Sequence, residues 1–193
     1  EAQPEAAFQR LWPQVQRSNV LDDGLPAALE RAGGLTPDLY QRIARLVDDA
    51  VATGAQGVLF TCSAFGPCIE TVAARRPHMP VPKPNEAMID DASRQGGPVG
   101  LVASFGPTLR SMPPEFPAQV DLRCELAEGA LQALDQGDTA GHDQAVVRAA
   151  QRLQAQGCTA IALAQFSMAR AAASVAQATG LPVLTTPGSA VRC

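Results

Sequence analysis

The chain has 193 residues, 46% of them hydrophobic, and a formal charge of -4, which suits a core of one large or two small α/β domains. The basic residues form no block, so the footprint of a nucleic-acid or polyanion binder is missing. No run of about 18 apolar residues could cross a membrane, and the first residues, EAQPEAAFQRLW, lack the apolar centre of a signal peptide.

In chain order, Asp22 and Asp23 follow the apolar pair Val20-Leu21 at an expected strand end, where acidic side chains either approach a cleft or cap a turn. Leu39–Ala52 carries apolar residues at helical spacing and runs into Gly54, a usual helix stop. Gly57-Val58-Leu59-Phe60 has no polar alternation and reads as a parallel strand covered on both faces. The turn TCSAFGP then enters a helix reaching Arg75, and Asn85-Glu86 after Pro84 reads as a capped helix start. Ser93–Pro98, SRQGGP, is the linker. Val99–Ser104 is a strand, Gln144–Ala155 a helix ended by Gly157, Ala160–Leu163 a buried strand, and AQFSMAR the start of another helix.

This order of helix, glycine, strand, turn and helix occurs twice. From Gly54 to Gly157 is an offset of 103 residues, and the same offset carries Gly34 to Gly137, Thr36 to Thr139, Ala87 to Ala190 and Cys62 to Gln165. Pro80-Val81 meets Pro182-Val183 one residue out of step. The reading is therefore a duplicated α/β unit, with a first copy over 1–95 and a second over 96–193, the C-terminal segment packing back on the first. The opening strand of the second copy has its counterpart at or before Glu1, so further N-terminal residues are expected. Parallel sheets bind ligands beyond the carboxyl ends of their strands, which places Cys62 and Gln165 at a shared cleft.

Five cysteines (Cys62, Cys68, Cys124, Cys158, Cys193) contain no C-x-x-C pair, and with only His78 and His142 there is no zinc-ligand spacing. Free thiols and no metal are expected. Cys68 reads as a core or surface thiol, Cys124, Cys158 and Cys193 carry no motif, and both histidines are expected to be exposed, with His142 near a helix N-terminus. A thiol opening a helix has its pKa lowered by the exposed N–H groups, so Cys62 is expected to ionise readily. The amides of Ser63 and Ala64, with the Ser63 hydroxyl, would hold a carboxylate in that turn, and those of Phe166 and Ser167 would serve the second turn.

The segments TCSAFG, IALAQFSMA and VGLVASFGPTLRS resemble the aspartate/glutamate racemase superfamily, which also takes in hydantoin racemases, maleate isomerase and arylmalonate decarboxylase. The resemblance implies two pseudo-symmetric α/β domains with parallel sheets and an interdomain cleft, no cofactor, and a small carboxylate substrate between two cysteines that act as acid and base on opposite faces. It also implies that Ser104 and Phe105 line the cleft. Cytoplasmic location, no nucleic-acid or membrane partner, and a possible homodimer complete the expectations.

The departure is Gln165, where the family has its second cysteine. An amide donates and accepts hydrogen bonds but exchanges no proton near neutral pH. It could steady an enolate or carboxylate oxygen, or be a buried amide satisfied by backbone. The decarboxylase branch also keeps one cysteine, but in the second half by resemblance, the reverse of this chain. Three readings follow: a racemase or isomerase using Cys62, a decarboxylase or lyase protonating an enolate from one side, and a carboxylate-binding protein without turnover. Phe65, Phe105 and Phe166 hint at a substrate less polar than aspartate.

Overall fold

The computed structural model describes residues 13–83, 85–186 and 189, with the Ser63 side chain outside that set. Pro84, Ala190 and Cys193 also lie outside the described residues. The helices and strands are α1 (Leu25–Ala32), α2 (Pro37–Ala52), α3 (Gly66–Ala74), α4 (Glu86–Ser93), β1 (Val99–Ala103), α5 (Thr108–Ser111), β2 (Leu122–Leu126), α6 (Ala130–Asp135), α7 (Thr139–Ala155), β3 (Ala160–Leu163), α8 (Ala172–Thr179) and β4 (Val183–Thr185). Short 3-10 turns occupy Ser63–Phe65, Pro113–Glu115 and Phe166–Ala171.

The protein is α/β, and the four strands among the described residues form one parallel sheet in the order β2-β1-β3-β4. Every residue of the central strands β1 and β3 is buried, as continuous apolar runs require when helices cover both faces. One face packs Val102, Ile161 and Leu163 against Val146, Ala149 and Leu153 of α7 and Val175 of α8. The other packs Leu101, Ala103 and Ala162 against Met88, Ile89 and Ala92 of α4 and against Met112 and Phe116. Gly100 allows the close approach on the α7 side, because a Cβ there would stand 2.8 Å from Leu153 Cδ1 and 2.9 Å from its Cβ. The N-terminal half has its own core, in which Leu29, Leu39, Ile43, Val47, Phe65, Cys68, Ile69 and Val72 pack together.

Helix α2 begins at a capped Thr36, whose Oγ1 accepts from Leu39 N–H at 3.4 Å. In α7 the cap is Asp138, one residue before the offset partner Thr139, accepting from Gly141 N–H at 2.8 Å. The two helix exits match closely. Gly54 and Gly157 both have φ of 89°, a left-handed value that favours glycine, and Ala55 N–H to Ala50 C=O is repeated by Cys158 N–H to Leu153 C=O, each at 3.1 Å. Val58 N–H bonds Pro80 C=O at 3.0 Å, and Ile161 N–H bonds Pro182 C=O at 2.9 Å.

Several expectations change. Gly57–Phe60 takes no strand assignment, since it makes the Pro80 bond but forms no ladder with a second strand among the described residues. Val20-Leu21 is no strand end either. Leu21 is 83% exposed, and Asp22 turns back to bond Arg42 of α2 at 2.7 and 2.8 Å while accepting from Gly24 N–H. His142 is fully buried, with Nδ1 2.8 Å from Asp143 Oδ1. Helix α7 starts at Thr139, ahead of the expected Gln144, and so carries the imidazole into the packed face. Asn85 does occupy the N-cap of α4, but its side chain makes no capping bond and is buried.

Candidate active site

Each half ends an extended segment in a 3-10 turn, and the residue entering each turn is Cys62 in one and Gln165 in the other. Cys62 has φ -114° and ψ 115°, and Gln165 has φ -113° and ψ 150°. Both therefore leave an extended backbone and project a side chain as the chain bends. Both turns lie beyond the carboxyl ends of their segments, as does the loop leaving β1 with Ser104, Phe105 and Thr108.

Cys62 is half-buried as a residue. Burial pushes its pKa up, against a smaller opposing pull from the Ala64 N–H that bonds it. The expected lowering at a helix start is thus overturned: the cost of burying a thiolate outweighs the pull of the Ala64 N–H. Cys68, in α3, is wholly buried and pushed up to about 11 by burial, a core thiol. Cys124 is exposed and Cys158 buried.

Gln165 is the better-anchored partner. Its Oε1 accepts from Ser104 N–H at 3.1 Å, and its Nε2 donates to Thr108 Oγ1 at 3.0 Å. Thr108 opens α5, which packs against the Ser63–Phe65 turn. The Ser104–Thr108 loop therefore touches both turns and joins Cys62 to Gln165 through one short piece of chain.

The other expected residues divide. Ala64 is buried in the Cys62 turn, and Phe65 is fully buried in the N-terminal core rather than lining a cleft. Phe105 is half-buried and packs on that same core, as Cys62 does. Ser104 and Phe166 are buried and Ser167 is half-buried. The hint of an apolar cleft carried by Phe65 is therefore withdrawn. The Ser63 hydroxyl lies outside the described residues.

Sequence reasoning missed Thr108 and Glu115. The first stands inside the SFGPT run already singled out, and only the fold shows that it meets Gln165. Glu115 has a nearly buried carboxylate pressed on Gly66 of α3, 3.6 Å from Lys83 Nζ. Burial raises its pKa and Lys83 opposes that shift. Two surface depressions, one lined by Asp143, Gln144, Val147, Arg148 and Ser174 and one by Leu21, Asp22, Arg42, Arg45, Leu46 and Asp49, lie apart from both Cys62 and Gln165. No group of three or more metal-ligating side chains is found among the described residues, and no described helix is long and apolar enough to cross a membrane.

The parallel α/β fold is shared with solved racemases. The glutamate racemase isoform RacE1 of Bacillus anthracis superposes with a TM-score of 0.70 at 14% identity, over 98% of this chain and 74% of that one. The allantoin racemase of Pseudomonas fluorescens gives 0.64 at 19% identity, over 98% and 83%, and the aspartate racemase of Picrophilus torridus 0.62 at 11%, over 96% and 84%. No curated protein matches the chain. The family described as Asp/Glu/Hydantoin racemase matches residues 25–193. The chain belongs to that family, which places it among isomerases of the racemase type.

Proposed function

We propose that the chain is a cofactor-independent racemase or isomerase acting on a small carboxylic acid, with Cys62 as its proton-exchanging group. The observation that supports this most is the equivalence of Cys62 and Gln165: each enters a 3-10 turn at the same point of two matching backbone paths. The substrate carboxylate is taken by turn amides, those of Phe166 and Ser167 or that of Ser63, the Ala64 N–H being engaged by Cys62. The Cys62 thiolate removes the α-proton, the C–H electrons pass into the carboxylate as an enolate, and Gln165 donates a hydrogen bond to the enolate oxygen. Return of that proton by the same thiol restores the starting configuration; inversion takes a proton from water on the opposite face, and the hydroxide so formed removes the proton from Cys62, regenerating the thiolate.

A second reading has its own support. Burial disfavours the Cys62 thiolate, and Gln165 is bonded on both ends of its amide. That pairing suits an enolate formed by loss of carbon dioxide and protonated from the Cys62 side alone.

The test is a panel of dicarboxylates, α-amino acids and arylmalonates in deuterated buffer, followed by NMR. Deuterium entering an α-carbon and disappearing in Cys62→Ala is the expected result. Entry only with loss of carbon dioxide selects the second reading. Ligand binding that survives in Cys62→Ala, with no deuterium entry in the unmodified protein, defeats both and leaves a binding protein.

A further inference from the structure

A carboxamide placed opposite a thiol helps an enolate only if its N–H end, and not its oxygen, faces the substrate, and the structure shows what settles that orientation. The Ser104 group facing Gln165 is a backbone N–H, which only donates. The atom of Gln165 that meets it at 3.1 Å is therefore the oxygen, and the amide nitrogen is turned to the other side, onto Thr108 Oγ1 at 3.0 Å. A primary amide nitrogen carries two hydrogens. One is spent on Thr108, and the second has no partner among the described residues. Thr108 is 1% exposed, so water does not compete for its hydroxyl, and its own N–H bonds Phe105 C=O at 3.1 Å, which fixes it to the loop. Its helix packs against the turn that carries Cys62, so one residue is held relative to both sides of the site.

We infer that Thr108 is a positioning residue: its hydroxyl holds one Nε2 hydrogen of Gln165 so that the other is fixed as the donor to the enolate oxygen. This rests on the reading of Gln165 as that donor. Its physical content is preorganisation, since a hydrogen bond already aimed at developing charge needs no rearrangement during the reaction.

The test uses Thr108→Val, nearly isosteric but without the acceptor, and Thr108→Ser, which keeps it. Melting curves identify any variant that is simply unfolded. The first readout needs no substrate: the Gln165 side-chain amide pair in 15N–1H spectra, assigned by its loss in Gln165→Ala. Thr108→Val is expected to speed solvent exchange of the bonded hydrogen about tenfold or more, while Thr108→Ser stays near the unmodified protein. The second readout applies to any substrate showing Cys62-dependent deuterium entry. There Thr108→Val lowers kcat about tenfold or more with KM within about twofold, and Thr108→Ser restores it. An unchanged amide pair in folded Thr108→Val overturns the inference. So does unchanged kcat, and in that case the Cys62 reading stands. If no substrate exchanges at all, the Cys62 reading fails and the amide spectra alone decide whether Thr108 fixes Gln165.

Discussion

At Cys62 two effects compete, and their balance sets how the residue would work. The Ala64 N–H favours the thiolate and burial disfavours it, with burial the larger. A group whose pKa is raised above the ordinary thiol value is a proton donor at pH 7. Its base form grows only as pH climbs past that value. Iodoacetamide should therefore label Cys62 more slowly than a free thiol at pH 7, with the rate still rising at a pH where a free thiol has levelled off; labelling faster than a free thiol at pH 7 contradicts this. The same sign fixes a kinetic expectation. If Cys62 acts as the acid in the slow step, kcat falls as pH rises through its pKa, and if it acts as the base, kcat rises. A pH profile over the alkaline range separates them, with Cys62→Ala as the inactive control. This residue's position was legible in the sequence, from TCSAFG after an apolar run. Its protonation state was not, because neighbours distant in sequence decide how deeply the sulfur is buried.

Among the elements, β1 and α7 show how a small residue sets a packing distance. With Leu153 already under 3 Å from the place a Cβ would take, Gly100→Ala forces α7 off the sheet or Leu153 out of its rotamer. A loss of about 1–3 kcal/mol is expected, read as a lower urea midpoint. The same change at Gly34, where nothing stands within 4 Å, serves as the control and should leave the midpoint within the scatter of surface substitutions. The strands β1 and β3 and the helices α2 and α7 could be read from period and run length, because apolar runs covered on both faces and helical stripes each leave a local pattern. The Gly57–Phe60 run has the same composition but no ladder among the described residues, since a strand depends on a neighbour as well as on its own residues. His142 went astray for a related reason. Its surroundings, GDTAGHDQ, are polar in sequence, yet the Asp138 cap starts α7 early enough to turn the imidazole inward.

At the scale of the whole molecule, the matched helix exits and matched turns put unlike side chains at like positions. That asymmetry can be altered. Gln165→Cys would give the second turn a thiol where the first already has one, at the cost of the bonds to Ser104 and Thr108. On a substrate that the unmodified protein exchanges from one face, the variant should exchange from both, and a single enantiomer should lose its optical activity over time. Polarimetry beside deuterium NMR measures this. Exchange that remains one-sided in folded Gln165→Cys would show that the two turns do not face a common substrate.

The sequence by itself determined the α/β class, the central buried strands, the repeated grammar and the place of Cys62 and Gln165 within it. Each of these follows from local periodicity, from the backbone demands of glycine, or from an offset countable along the chain. Only the tertiary structure decided that the Cys62 thiol is pushed toward its protonated form, that Phe65 belongs to a core, and that Gln165 is clasped by Ser104 and Thr108. Those facts depend on desolvation and on hydrogen bonds between residues about 60 positions apart, which no local pattern encodes.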